Sequence, residues 1–196
     1  MECGHDLSTG QDILYREASV SVAIITIISG SPSRQSRLYG LISAAERQLR
    51  EAQHEVTVIQ VTDLPASDLL LGNFNSERIK EALAHVAASD AVIVASPVYK
   101  ASFSGILKTF LDLIPEKGLD GKQLLPLFIG GTPAHLLVID YALKPVLSAL
   151  GGRRFQQGVY AVDQSVKRLE DGGFELDANT AERLARAVDG LQEDLG

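Results

Sequence analysis

The sequence has no tryptophan, one cysteine and one methionine among 196 residues. With Cys3 alone, neither an internal disulfide nor a cysteine-based zinc site can form. No metal site is expected, and a reducing, cytoplasmic setting fits. Long apolar runs are missing too, since none reaches the roughly 18–20 residues of a membrane-spanning helix. Positive charge is in the minority, with 18 Lys and Arg against 25 Asp and Glu and a net charge of −7. No basic stripe stands out to neutralise phosphates, which argues against a nucleic-acid partner. Residues 1–20 lack the basic-then-apolar order of a signal peptide and read as a flexible extension, leaving 21–196 as one domain.

What the chain does have is apolar material, 45% of its residues, in a regular order. Five short runs rich in Val and Ile read as strands: Val22–Ile28, Val56–Val61, Ala91–Ala95, Leu124–Ile129 and Val159–Val162. They are apolar throughout instead of alternating, as strands covered on both faces are. Between them, helical spacing recurs. Leu38, Leu41, Ile42, Ala45 and Leu49 share one face of Ser36–Gln53, and Ile79, Leu83 and Val86 one face of Ser76–Ser89. Asn179–Leu191 repeats the pattern at the end, with Leu184, Ala187, Val188 and Leu191. Alternation of this kind predicts an α/β, flavodoxin-like doubly wound sandwich, a five-stranded parallel sheet compatible with the order 2-1-3-4-5.

Ligands of such sheets bind beyond the carboxyl ends of the strands, which directs attention to three loops. The first, Gly30 to Ser36, offers Ser31, Ser33, Ser36 and Arg34 at a helix N-terminus, a setting for an anion or for simple capping by Ser36. It is neither a Gly-Lys-Ser/Thr phosphate loop nor a Gly-x-Gly-x-x-Gly turn. The second runs from Ser96 through Pro97, Val98 and Tyr99 to Lys100; a sharp turn stiffened by Pro97 would present an apolar, aromatic ledge. The third holds Gly130, Gly131, Thr132 and His135, with two glycines that permit close approach to the backbone. An anion cradle, a flat ledge and a glycine pair together suit a phosphate joined to a planar ring, as in flavin mononucleotide (FMN).

The loops resemble those of the NADPH-dependent FMN reductase family, particularly the reductases of two-component alkanesulfonate monooxygenases. The likeness rests on Gly30-Ser31-Pro32 with Ser33-Arg34-Gln35-Ser36, on Ser96 to Ala101 with Ser104 to Thr109, and on Gly130 to Thr132 with Ala134 to Leu137. The stretch Asp140 to Leu150 extends it. The resemblance implies FMN and NADPH as cofactor or substrate, a flavin-dependent monooxygenase as partner, and a role in sulfur assimilation. It also implies phosphate contacts from Ser31, Arg34 and Ser36, a ring lined by Pro97, Val98 and Tyr99, and a far side closed by Gly131, Thr132 and His135. Hydride chemistry belongs to the cofactors, so no catalytic acid or base is assigned. For the ribose phosphate of NADPH, Lys100, Arg153 and Arg154 are the available cations.

Ala134–Leu150 reads as one long helix, yet Pro145 sits inside it. Proline cannot donate to the carbonyl of Tyr141 and presses on it, so a kink or a widened π-type turn is expected near Asp140–Tyr141. The resemblance attaches such a turn, at an inserted tyrosine, to members that release their flavin, and Tyr141 takes that place. The apolar faces of this helix and of Ile106–Ile114 further predict self-association as a homodimer or homotetramer. Three functions follow for test: an FMN reductase that supplies free reduced flavin, a flavoprotein with tightly bound FMN reducing quinones or azo compounds, and an electron-carrying flavodoxin. A low-molecular-weight phosphatase is excluded, because no Cys-x5-Arg loop exists.

Overall fold

The structure, a computed structural model, describes residues 22–195; the extension expected at 1–20 lies outside them. Strands β1 (Ile24–Ser29), β2 (Glu55–Gln60), β3 (Ala91–Tyr99) and β5 (Gln123–Gly130) run parallel in the order β2-β1-β3-β5. The far edge is split: β6 (Arg154–Phe155) pairs with the start of β5 and β7 (Val159–Val162) with its end. Strand β4 (Ser102–Phe103) folds back antiparallel on β3, which brings the sheet to seven strands. The order 2-1-3-4-5 therefore holds for the five main strands, with the fifth made in two pieces. A separate hairpin, β8 (Val166–Arg168) with β9 (Phe174–Leu176), has no counterpart in the predicted strands.

Side chains alternate between the two faces, and each face has its own core. Ile93, Leu125 and Leu127 pack with α1 (Leu38–Glu51) and α6 (Ala178–Glu193). Val92, Val94, Leu124 and Phe128 pack on the other side with α3 (Glu77–Ala88), α4 (Gly105–Leu111) and α5 (Lys144–Ala149); a short α2 (Ala66–Leu71) follows β2. The predicted stripe of α1 is wholly buried at Leu38, Leu41, Ile42, Ala45 and Leu49. Each Leu or Ile of it contributes roughly 1.5–3 kcal/mol on leaving water. The helix stops where Gln53 turns left-handed at φ 67°. There Gln53 N–H meets the Arg50 carbonyl and His54 N–H the Leu49 carbonyl, a glycine-type terminator made without glycine.

The single helix expected over Ala134–Leu150 is instead three pieces: a 3-10 turn at Pro133–His135, a π turn at Ile139–Leu143, and α5. Lys144 N–H reaches back five residues to the Ile139 carbonyl, which is the widened bond itself. Pro145 falls in the first turn of α5, where a missing N–H costs least. The widening thus removes the clash that a continuous helix would have imposed at Tyr141.

Candidate active site

Because β1, β3 and β5 are parallel neighbours, the loops that follow them leave from one edge of the sheet. Buried serines fasten the first two together. Ser104 caps α4 by accepting Leu107 N–H at 3.1 Å, and its hydroxyl donates to the Gly30 carbonyl at 2.6 Å. Its own N–H goes to Ser96 Oγ at 2.9 Å. A Cβ on Gly30 would collide with Leu107, so this crossing also needs glycine. In the sequence Ser96 and Ser104 are parts of a motif; that they staple two loops together is visible only in the structure.

In the first loop Ser31 lies fully buried, and its hydroxyl donates to the Ser33 carbonyl at 2.8 Å. It shapes the loop from beneath. Ser33 and Ser36 are better presented, each accepting one backbone N–H, from Gln35 at 3.1 Å and Leu38 at 3.3 Å, with the O–H left to donate outward. Ser36 so assists the helix entry, although Arg37 holds the formal cap position. Gln60 anchors the loop, donating to the Ser31 carbonyl at 2.7 Å and to Thr62 Oγ1 at 2.6 Å while accepting from the Tyr39 hydroxyl. Arg34 stands outside, paired with Asp63 at 2.5 Å and with its guanidinium 5.9 Å from the centre of the Tyr39 ring. The bond to Asp63 raises its already high pKa.

The second loop differs from the expected sharp turn at Pro97. The strand continues through Pro97 to Tyr99, and the reversal falls on Lys100 and Ala101, both left-handed at φ 49° and 61°. Ala95 gives its carbonyl to Gly30 on the β1 side. By two-residue alternation Pro97 faces that side as well, past the end of β1, where no donor is missed. Pro97 is buried, Val98 is half-buried, and Tyr99 is 51% exposed at the rim. Two non-glycine residues at positive φ are strained, and such strain marks a tip held in place by its surroundings.

The third loop sets its glycines to different tasks. A Cβ on Gly130 would meet the Tyr160 hydroxyl, so that glycine serves the fold. Nothing lies within 4 Å of a Cβ on Gly131, whose side faces open space. Thr132 accepts Ala134 N–H at 3.2 Å, and its carbonyl accepts from Tyr160 at 2.6 Å. Burial, and after it Asp163, pushes the Tyr160 pKa up, which keeps the phenol a neutral donor. His135 is exposed on the 3-10 turn. Leu136 and Leu137 are half exposed beyond it, and Tyr141 is 79% exposed on the π turn. Of the cations proposed for a ribose phosphate, Lys100 sits at this rim. Arg154 pairs with Gln123, the first residue of β5, and lies about 23 Å away at the opposite edge. Arg153, bonded to the Ser148 and Gly152 carbonyls, is beside it, and both are set aside.

A wide groove, about 1070 Å³, lies elsewhere, between α1, the β8–β9 hairpin and α6, and touches the first loop through Arg34. The strand-end edge is nevertheless the candidate that the chemistry favours, since it gathers serine hydroxyls, a cation, an aromatic ledge and an unfilled glycine side. Among the described residues no group of three metal-ligating side chains exists, and no helix is long and apolar enough to cross a membrane.

The NADPH-dependent FMN reductase family matches residues 24–167, which span all three loops. The chain is a member of that family. It is 47% identical to an FMN reductase (NADPH) of Pseudomonas putida over 75% of each chain. To an FMN reductase (NADPH) of Escherichia coli it is 45% identical, over 72% of this chain and 74% of the relative. The crystal structure of an NADH:FMN oxidoreductase in its apo form superposes with a TM-score of 0.80 at 37% identity, covering 89% of this chain and 91% of that one. As an FMN reductase-family oxidoreductase, the chain calls for a flavin phosphate, a ring face and a nicotinamide nucleotide. Arg34, Ser33 and Ser36 fit the first and Val98 with Tyr99 the second, while Gly131 leaves room beside them.

Proposed function

We propose that the chain reduces FMN with NADPH and releases the reduced flavin to a flavin-dependent monooxygenase of the alkanesulfonate type. FMN is then a substrate that comes and goes. The observation that carries this reading is the fastened edge: one serine, Ser104, ties the anion loop to the aromatic hairpin. When bound, the flavin accepts a hydride from the nicotinamide, chemistry that is its own. Ser33, Ser36 and Arg34 hold the phosphate, Val98 and Tyr99 orient the ring, and Ser31, Gln60 and Tyr39 keep the loop in shape. Thr132 and His135 border the far side of the ring.

Exchange is supported by the exposure of the rim, where Tyr99 is 51% exposed. A homodimer or homotetramer built through Leu136, Leu137 and Tyr141 would bury the apolar surface next to it. NADPH consumption followed with and without added FMN tests the activity. The expected protein is colourless and oxidises NADPH only when FMN is supplied. A yellow protein that keeps its flavin through dialysis would support the tightly bound alternative. Deleting Tyr141 should shift the molar mass by light scattering and slow flavin turnover; unchanged values on both counts would refute its role.

A further inference from the structure

Arg34 is already engaged before any flavin arrives. Its Nη2 lies 2.5 Å from Oδ2 of Asp63, and the two side chains are 59% and 54% exposed. The remaining N–H groups of Arg34 have no partner among the described residues. Asp63 is no drifting surface acid. It ends a 3-10 turn whose first residue, Val61, is fully buried, with Leu64 buried just beyond. The same stretch begins at Gln60, the residue that fixes the Ser31 carbonyl. The backbone therefore holds a carboxylate against the cation of the anion loop.

We infer that Asp63 is an internal competitor for phosphate, a specificity-setting residue that weakens FMN binding and retakes Arg34 as the flavin leaves. This rests on the reading that Arg34 receives the flavin phosphate. A phosphate dianion approaching Arg34 must share the guanidinium with Asp63 and meets a like charge beside it. The pair is solvated and screened, so exchanging one anion for the other is cheap in both directions. A buried pair would have locked the site open or shut. Such an exchange suits a flavin used as a substrate.

The test compares FMN with riboflavin, which lacks the phosphate, by quenching of flavin fluorescence on the purified protein. Asp63→Asn should tighten FMN by about two- to fivefold, the range an exposed ion pair commands, and leave riboflavin affinity unchanged. In an Arg34→Gln background the gain should shrink. Should Asp63→Asn weaken FMN or leave it unaltered while Arg34→Gln still weakens FMN relative to riboflavin, the competitor role is overturned and the phosphate site stands. If Arg34→Gln fails to discriminate FMN from riboflavin, the phosphate site and the competitor fall together. Far-UV circular dichroism on each variant excludes misfolding, which two exposed side chains give no cause to expect.

Discussion

Ser104→Ala removes the joint between two loops and should show how far the site depends on it. Ser104 is 1% exposed, and its hydroxyl donates to the Gly30 carbonyl at 2.6 Å and accepts Leu107 N–H at 3.1 Å. Losing an N-cap costs about 1 kcal/mol, with a range near 0.5–2. Stranding a buried carbonyl adds roughly 1–3 kcal/mol. Because the two losses share one side chain, a total of about 2–4 kcal/mol is expected. For a domain of this size, 1 kcal/mol moves Tm by about 2–4 °C, so the melt should fall by roughly 4–16 °C. Thermal melts by circular dichroism measure this, and FMN titration on the folded protein at low temperature should show weaker binding. Ser96→Ala, which breaks the neighbouring bond, should cost less and combine with Ser104→Ala less than additively. A Ser104→Ala protein melting within about 2 °C of the parent would refute the staple, since that margin is under 1 kcal/mol.

Three other outcomes follow from the same structure. Gly131→Ala should leave stability within about 0.5 kcal/mol, since its Cβ meets nothing, yet weaken FMN several-fold; Gly130→Ala should cost about 1–3 kcal/mol through Tyr160, and urea melts beside flavin titrations separate the two. Gln53→Gly should stabilise by about 1 kcal/mol in denaturant melts, because glycine accepts φ 67° at the end of α1 without strain. The Asp177 carboxylate caps α6 by accepting Thr180 N–H at 2.7 Å, and that bond holds its pKa below the usual carboxylate range. Its contribution is therefore present above the ordinary carboxylate range and lost as pH falls through the depressed value, so Asp177→Ala should lower Tm at pH 7 and converge with the parent in acid.

Much of the fold was legible because the informative signals were local. The bounds of α1, α3 and α6 follow from apolar stripes and lie within two residues of those expected. A break in the helix was legible from a single residue, Pro145, as a kink or a π turn, and only the family resemblance singled out the π turn that the structure shows. Harder to foresee were turns made by unexpected residues. Lys100 and Ala101 reverse the chain at positive φ where Gly or Asn would have announced it. The β8–β9 hairpin did carry a signal, Asp171-Gly172-Gly173 with Gly172 at φ 87°, but its strands are three residues each and too short for alternation to register. In the site, residue types pointed to three loops that the fold brings to one edge of the sheet, and not to individual roles. Whether Ser31 or Ser33 faces outward depends on Gln60, 29 residues away, and the Arg34–Asp63 pair spans the same separation. Such tertiary contacts leave no periodic trace.

The most direct test of the central claim is a crystal structure of the chain with FMN. The phosphate should lie within hydrogen-bond distance of Ser33, Ser36 and Arg34, displacing Asp63, with the ring on Val98 and Tyr99 beside Gly131. Flavin in the groove between α1, the β8–β9 hairpin and α6, with the three loops empty, would contradict it.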